Sequence, residues 1–446
     1  MTMQARAITR RRALCCCAAL TAGLFSSLPG VARAASSDAG GDEGGARWIN
    51  PCRGALPREL AQHDIVLAAF AGIDATQLVD VHAHLLGTGD SGSGCSVHPS
   101  MHQWWHPVEV LRRKAILNAA CVDASAPSVD RLYIERLQAL TQDFPAGARW
   151  WLFAFDHACD NAGREHADWS TFHVPDAYAQ QVAAQQTQRF DWVASIHPYR
   201  ADAIARLQSA AARGARAVKW LPSATNIDPA DRRCAAFYDV LAQARLPLIV
   251  HCGEEKAVPG AGREAYGNPL LLRGALARGV RIVVAHAASL GEAVDTDKRS
   301  APRVHAFDLF SRLMDERAND ALLMADISAV FQRNRRAEVW QRVLRSEHWH
   351  ARLLHGSDYP LPGVLPLFAP QKIADAGLLD AADVAPLLRL REHNALLFDF
   401  VLKRRLRLGT QRLPASIFEG HALHGATLAP QREPLLDAPA HPKRTT

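Results

Sequence analysis

The sequence predicts an α/β fold of the (β/α)8 barrel class, in one main domain with a long loop after its first strand. Three observations support this prediction: a length of 446 residues, a regular alternation of apolar strand-like segments with helical ones, and polar residues at the ends of several strands. An open doubly wound sheet is the alternative.

Eight short apolar segments predict parallel strands, because helical segments alternate with them. The predicted strands are 78–86, 150–156, 192–198, 215–221, 247–252, 281–287, 322–328 and 352–357. The predicted helices between them include 174–189, 202–213, 236–244, 268–278, 307–317 and 337–347. In a barrel of this class the chemistry lies at the carboxyl ends of the strands.

The first 34 residues predict an export signal. The run Arg10-Arg11-Arg12 precedes an apolar stretch over residues 13–28, and Ala32-Arg33-Ala34 has the small-x-small pattern of a cleavage site. The paired arginines resemble a twin-arginine signal, although Ala13 stands where a bulky apolar residue is usual. An ordinary secretory signal is the alternative, and either signal predicts a periplasmic or secreted protein.

The mature chain is predicted to be nearly neutral. Cleavage after Ala34 removes five arginines and no acidic residue, so the net charge falls from +6 to +1. We therefore expect a small-molecule substrate as the partner, and neither nucleic acid nor a membrane surface. With 48% hydrophobic and 22% charged residues, the composition is that of an ordinary soluble globular protein. The choice between a monomer and a homo-oligomer stays open.

Six cysteines remain after cleavage, and an oxidising compartment permits them to form disulfides. They are Cys52, Cys95, Cys121, Cys159, Cys234 and Cys252. The sequence does not determine which of them pair, and it contains no Cys-x-x-Cys zinc spacing.

The other segments are arranged around the barrel. Residues 35–77 predict a flexible linker and a lead-in, residues 78–400 the barrel, and residues 401–446 a basic helix end followed by a solvated, Pro-rich tail. The long first loop, 87–149, is typical of a lid or a substrate wall.

The strongest functional signal is the first predicted strand, which contains Asp80-Val81-His82-Ala83-His84. Since residues two apart on a strand share a face, we expect Asp80, His82 and His84 to point the same way. Two imidazoles on one strand face can hold a metal ion from a rigid scaffold. Two histidines with separate local hydrogen bonds are the alternative.

Later strands also carry ligand-type residues near their ends. Three of them end in His251, His286 and Asp358, and the fourth strand carries Lys219. Each residue alone could be an ordinary hydrogen-bonded strand end. Together with the first-strand histidines they predict one cluster at the mouth of a barrel, because the carboxyl ends of all the strands meet there.

In these motifs the chain resembles the amidohydrolase superfamily, and within it the amidohydrolase 2 branch of metal-dependent hydrolases and decarboxylases. The resemblance covers roughly residues 78–398. The segments that carry it are Asp80-Val81-His82-Ala83-His84, Ala217-Val218-Lys219, Pro247-Leu248-Ile249-Val250-His251, Val284-Ala285-His286, Gly356-Ser357-Asp358-Tyr359-Pro360 and Asn394-Ala395-Leu396-Leu397-Phe398.

The resemblance implies that His82, His84, His251 and Asp358 bind a divalent metal, commonly zinc. It also implies that His286 acts in acid–base work or polarises the substrate. Imidazole and carboxylate ligands suit zinc, which lowers the pKa of a water towards about 7. Asp358 would accept the proton of that water and pass it to the leaving group.

Lys219 bears on the number of metal ions. In binuclear members of the superfamily, a carboxylated lysine at the end of the fourth strand bridges two metals, and His251 and His286 would then hold the second one. Single-metal relatives also carry a lysine there, and we favour one metal. A third interpretation pairs Lys219 with a nearby carboxylate.

Three further residues are candidates for the substrate pocket. Glu254 completes the pattern His-x-Gly-Glu, which resembles the adenosine-deaminase branch, whereas Gly356-Ser357-Asp358-Tyr359-Pro360 does not. Either Glu254 or its neighbour Glu255 is expected to line the pocket, and the alternative is that both lie in a solvated loop. Trp104 and Trp105, in the first loop, are expected either to pack against the barrel rim or to contact the ligand. Weaker candidates follow the third and seventh strands: His197, Arg200 and Asp326.

The predicted activity is hydrolysis of an amide, lactone or ester bond of a small molecule by a metal-activated water. A non-oxidative decarboxylase on the same scaffold is the first alternative, and a catalytically silent metal-binding or ligand-binding barrel is the second. The metal ligands alone do not separate the hydrolase from the decarboxylase. The intact ligand set argues against the silent barrel.

Overall fold

The computed structural model describes residues 49–258 and 262–424. The predicted export signal, residues 1–34, lies outside the described residues, and so does the Pro-rich end of the chain after residue 424. Within the described ranges, no helix is long and apolar enough to cross a membrane.

Eight parallel strands form the centre of the fold, close to the positions predicted. They are β1 (Val79–His84), β2 (Arg149–Phe153), β3 (Phe190–Val193), β4 (Val218–Trp220), β5 (Leu248–His251), β6 (Ile282–Ala285), β7 (Leu323–Asp326) and β8 (Leu353–Leu354). The first three form one sheet and the other five a second, each in chain order. Single parallel bridges join the two sheets, between Ala194 and Val218 and between Ala83 and Tyr359. The strands therefore follow one another around a ring, as in a (β/α)8 barrel.

Helices follow the strands, as the alternating pattern predicts. Five match predicted segments: Asp176–Gln185, Ala203–Ala212, Ala235–Ala244, Ala306–Asp315 and Ala337–Arg345. The predicted helix 268–278 is instead a 3-10 turn, Pro269–Leu272, followed by the short helix Arg273–Leu276. The other helices are Arg58–Ala61, Asp64–Phe70, Pro107–Ala119, Val129–Thr141, Pro222–Thr225, Glu347–His350, Pro370–Asp375, Val384–His393, Ala395–Arg405, Ala415–Phe418 and His421–His424. Short antiparallel pairs join Ser96–Val97 to Phe172–His173, Ala158–Cys159 to Glu165–His166, Glu292–Val294 to Arg303–His305, and Arg407–Leu408 to Gln411–Arg412.

Apolar strand residues divide between two packed clusters, because side chains alternate between the two faces of a strand. Val81, Phe153 and Ile249 belong to the cluster inside the ring. Leu152 and Val250, one residue away on the same strands, belong to the larger cluster between the strands and the helices. The barrel is thus filled below its mouth and covered on its outside.

The glycine-rich segment after β1 contains the spacing Gly-x-Gly-x-x-Gly at Gly87, Gly89 and Gly92. Such a turn binds dinucleotide phosphates when a helix begins directly after it. Here the backbone amides of Thr88 and Gly89 donate instead to the Asp130 carboxylate, at 2.6 and 3.3 Å. The turn is closed around a side chain of its own chain and lends no support to a doubly wound nucleotide-binding sheet.

The predicted boundary at residue 400 is wrong. Helix Ala395–Arg405 runs across it, and Leu423 is part of the apolar cluster inside the ring, together with Val79 at the start of β1. The Arg281 guanidinium, at the start of β6, donates to Ala422 O at 3.0 Å. The segment after helix Ala395–Arg405 therefore buries apolar side chains against the ring and closes the amino-terminal end of the barrel.

Lys403, which belongs to the basic run near that boundary, is fully buried. Its Nζ donates to Asp399 Oδ2 at 2.5 Å and to Gly356 O at 2.6 Å. Burial raises the pKa of the Asp399 carboxyl to about 7. This pair ties the last long helix to the segment that follows β8.

A disulfide between Cys52 and Cys121 links the lead-in to the end of helix Pro107–Ala119. Among the described residues, the four cysteines without a disulfide are all buried: Cys95, Cys159, Cys234 and Cys252. The structure thus selects one pairing among those that the sequence leaves open.

We expect Lys403→Met to lower the free energy of unfolding by about 3 kcal/mol, because it leaves Asp399 buried without its cation and Gly356 O without a donor. Urea unfolding followed by circular dichroism measures the loss. The double variant Asp399→Leu/Lys403→Met removes both charges and should recover most of it. Equal losses in the single and double variants would show that the ion pair is not the cause.

Candidate metal centre

A β-bulge in β1 sets the direction of the two histidines. In the pairing with β2, Asp80 lies opposite Trp150 and Ala83 opposite Leu152. Three steps along β1 therefore match two steps along β2, and one residue is extra. The extra residue reverses the alternation of side chains just before His82.

The expectation that Asp80 shares a face with His82 and His84 is wrong, because the bulge lies between Asp80 and the two histidines. Val81 packs in the inner cluster with Phe153, and the His82 ring also lies 4.6 Å from the Phe153 ring. Two successive residues thus face the inside of the ring. Alternation then resumes, so His84 points inward and Asp80 outward.

The first group of possible ligands joins β1 to the segment after β8. Nε2 of His82 lies 3.3 Å from Nε2 of His84, and Oδ1 of Asp358 lies 3.1 Å from the His84 atom and 3.5 Å from the His82 atom. The structure therefore brings together three of the four ligands that the sequence predicts. Gly356 is required here, because a Cβ at this position would lie 2.6 Å from Cβ of His82.

Asp326, which the sequence predicts only as a weaker candidate for the pocket, orients His82. The Nδ1–H of His82 donates to Asp326 Oδ2 at 2.9 Å, which leaves Nε2 as the nitrogen with the free lone pair. The other oxygen of Asp326 accepts from the backbone amide of His286 at 3.0 Å and from the Ser328 hydroxyl. Burial holds the pKa of His82 well below its usual range, so the ring is neutral and ready to bind a cation.

His286 lies beside this group on the neighbouring side of the ring. Its Nδ1 is 2.8 Å from the Ser328 hydroxyl and 4.0 Å from Oδ2 of Asp358. The His286 ring centre is 4.8 Å from that of His82. His82, His286 and Asp326 form a second group whose ligand atoms lie within 4.8 Å of one another. Burial also keeps the pKa of His286 well below its usual range.

His251 stands at the edge of the centre. Its ring centre is 5.2 Å from that of His286, but it joins neither group of three donors among the described residues. Nδ1 of His251 lies 3.2 Å from Oε2 of Glu255, and Nε2 is buried without a hydrogen-bond partner in the part of the chain that the structure describes. Glu255 therefore orients His251. The sequence predicts Glu255 only as a residue that could line the pocket, and its contact with His251 was not predicted.

Lys219 is 1% exposed, and its Nζ lies 5.0 Å from the centre of the Phe153 ring. Among the described residues, no carboxylate oxygen lies within 4.0 Å of Nζ and the atom has no hydrogen-bond partner. The interpretation that pairs Lys219 with a nearby carboxylate is therefore wrong. Burial lowers the pKa of Lys219 to about 8.

Among the described residues, Glu254 belongs to neither group of possible ligands, and neither Trp104 nor Trp105 has a ring contact with the ligand histidines. The Glu254 side chain is 39% exposed and lies 3.6 Å from Lys256 Nζ. Trp104 and Trp105 are 82% and 58% exposed and contact each other edge to face, so the expected packing against the barrel rim is wrong. Both rings therefore lie largely in solvent, although they belong to the first loop.

The two weak candidates after the third strand connect loops. His197 Nε2 lies 2.8 Å from Thr225 O, and Arg200 pairs with Asp202 at 2.9 Å and also with Glu165. Both side chains are therefore engaged by the chain itself. Of the three weaker candidates, Asp326 alone lies inside the metal centre.

Histidine nitrogens and a carboxylate that converge at the mouth of a (β/α)8 barrel define this protein as a barrel with a candidate metal centre. The chain belongs to the amidohydrolase family, since the family model Amidohydro_2, described as Amidohydrolase, matches residues 79–390. No curated protein matches the chain.

Solved structures are similar at low sequence identity. An uncharacterized TIM-barrel protein from Bordetella bronchiseptica is 15% identical over 71% of this chain and 99% of its own, with a TM-score of 0.40. An IDCase from Metarhizium anisopliae is 14% identical over 76% and 98%, with a TM-score of 0.40. A 5-carboxyvanillate decarboxylase from Sphingomonas paucimobilis is 10% identical over 73% and 96%, with a TM-score of 0.38.

We expect Asp326→Asn to weaken binding of a divalent ion about 10- to 100-fold, because His82 loses the anionic partner that fixes its ring. Competition with a chromophoric chelator measures the affinity. Asp295→Asn is the matched control, since Asp295 is an equally buried carboxylate that is held by Arg312 and not by a histidine. Equal affinities in the Asp326 variant and the wild type would contradict the role given to Asp326.

Proposed function

We propose that this protein is a metal-dependent hydrolase that cleaves an amide, lactone or ester bond of a small molecule. The observation that carries the proposal is the convergence of His82, His84 and Asp358, whose ligand atoms lie 3.1 to 3.5 Å apart. Neutral imidazoles and a carboxylate at the carboxyl ends of barrel strands are suited to metal-assisted hydrolysis.

His82, His84, His251 and Asp358 would hold one divalent ion, and we propose zinc. The donors fit, because zinc prefers imidazole and carboxylate ligands and because the buried Nε2 of His251 lacks a partner among the described residues. When bound, the ion would lower the pKa of a water and polarise a carbonyl group.

Asp358 is the proposed proton carrier. Its Oδ1 faces the two histidines of β1, while Oδ2 lies 4.0 Å from His286 Nδ1. A carboxylate in this position can accept a proton from the attacking water and deliver it to the leaving group. The ring of His286 is held at Nδ1 by Ser328, and its Nε2 has no hydrogen-bond partner in the described chain. His286 can therefore meet the substrate oxygen as a neutral ring.

We propose one ion rather than two. A second ion would need His251 and His286 together with a carboxylated Lys219. Nζ of Lys219 lies over the Phe153 ring instead, 5.0 Å from its centre, which supports the single-ion arrangement.

Metal analysis of the purified protein tests the arrangement. His82→Ala, His251→Ala and Asp358→Ala should each release the ion and abolish turnover. His286→Asn should keep one ion per chain and lower kcat by about 100-fold or more, because it removes an acid–base group without removing a ligand. Loss of one of two ions in the His286 variant would establish the binuclear arrangement instead.

Product analysis separates the hydrolase from the decarboxylase. A panel of amides, lactones, esters and carboxylates is incubated with the metal-loaded protein in water labelled with oxygen-18. A hydrolase transfers the label to its product, whereas a decarboxylase releases carbon dioxide and consumes no water. A loaded protein that converts no member of the panel would favour the catalytically silent barrel.

We also propose that a twin-arginine signal exports the protein to the periplasm or beyond. The disulfide between Cys52 and Cys121 supports export, because disulfides persist mainly in oxidising compartments. This pathway carries folded proteins, so it suits a chain that takes up its metal before export.

Replacing Arg10 and Arg11 together with lysine should retain the protein inside the cell, because the signal depends on the arginine pair. Cell fractionation and immunoblotting measure the distribution. Arg6→Lys is the matched control, since it makes the same change outside the pair. Undiminished export of the double variant would indicate the ordinary secretory route.

A further inference from the structure

The loop after β7, residues 327–336, connects the metal centre to a buried arginine. Ser328 is the second residue of this loop, and its hydroxyl lies 3.2 Å from Nδ1 of His82 and 2.8 Å from Nδ1 of His286. Buried apolar residues fix its middle, and Arg335 lies near its end.

Arg335 is 8% exposed. Its Nε donates to the Ser289 hydroxyl at 2.9 Å, and its Nη1 donates to Asn334 Oδ1 at 2.7 Å. Within the described ranges, Nη2 has no hydrogen-bond partner and no carboxylate oxygen lies within 4.0 Å of the guanidinium. Arginine is rarely buried without a carboxylate, because an unpaired buried charge is costly.

One hydrogen bond and the charges that act on Arg335 place this guanidinium beside the metal centre. Ser289, which holds Arg335, is buried and closes the turn that begins at His286, with its amide donating to His286 O at 3.0 Å. The negative charges that act on the guanidinium are Asp358, Glu255 and Glu254. Arg335 thus shares the mouth of the barrel with the proposed proton carrier, but it forms an ion pair with none of these groups.

We infer that Arg335 binds a carboxylate group of the substrate, so that the substrate class is a small carboxylic acid. The guanidinium is a fixed donor that suits a planar carboxylate. A doubly charged phosphate would meet more repulsion from the three nearby carboxylates than a singly charged carboxylate would. This inference rests on the proposed function, because it takes the metal centre as the place of reaction.

Calorimetric binding to the metal-loaded protein tests the inference with succinate, glutarate and adipate, each compared with its monoamide. The diacid and its monoamide each have one carboxylate that the metal can bind. The difference between their affinities therefore measures the contribution of the second carboxylate of the diacid. For the best chain length, the diacid should bind about 10-fold tighter than its monoamide. In Arg335→Gln this ratio should fall to about one, and Arg335→Lys should retain part of it.

Arg336→Gln is the matched control, because it removes the same charge from an exposed neighbour that lies 3.7 Å from Asp308. It should leave the ratio unchanged. An unchanged ratio in a folded, metal-loaded Arg335→Gln variant would overturn the inference, and so would a wild-type ratio of one.

The proposed function and the inference fail separately. A wild-type protein that hydrolyses anionic and neutral substrates equally well would keep the function and overturn the role of Arg335. A protein whose diacid preference depends on Arg335 but which turns over nothing would keep the inference and overturn the hydrolase.

Discussion

The metal centre depends on one contact, the pairing of β1 with the segment that follows β8. The amide of Asp358 donates to His82 O at 2.7 Å, and the amide of His84 donates to Tyr359 O at 2.9 Å. His84 and Asp358 are 274 residues apart in the chain. Their side chains meet only because the ring closes at this point, so the ligands require the complete barrel and no local segment can assemble them.

Buried charges outside the ring reinforce the same contact. Asp80, turned away from the histidines by the bulge, accepts from the amides of His82 and Ser357 at 3.0 and 2.9 Å. Lys403 donates to Gly356 O from the far side. Burying these charges is costly, and burial raises the pKa of Asp80 to about 6. Their fixed hydrogen bonds hold the segment before Asp358 in register with β1, which is the geometry that a metal ligand needs.

The sequence predicts the barrel strands and most of the centre for a physical reason. Parallel strands buried on both faces are continuous apolar runs, and a polar residue that ends such a run lies at the barrel mouth. The direction of Asp80 could not be predicted, because a bulge depends on the pairing of two strands and leaves no mark in one of them. The roles of Asp326 and Glu255 depend on contacts between different strands and loops. The predicted boundary at residue 400 cuts through a helix, because a run of charged residues in the sequence is typical of a solvated tail, whereas Lys403 in this run is buried.

The balance of buried charge explains why the centre would attract both a cation and an acid. The carboxylates of Asp326, Asp358 and Glu255 act on Lys219, and those of Asp358, Glu255 and Glu254 act on Arg335. Four negative charges against two positive ones leave an excess of two, which favours a divalent cation. Once such an ion is bound, this count is neutral, so an acid that approaches Arg335 no longer meets a net negative charge. The order of binding follows from the same count: the carboxylates repel an acid before the metal arrives, and the bound metal removes that repulsion, so substrate affinity should depend on metal loading even for parts of the substrate that never touch the ion.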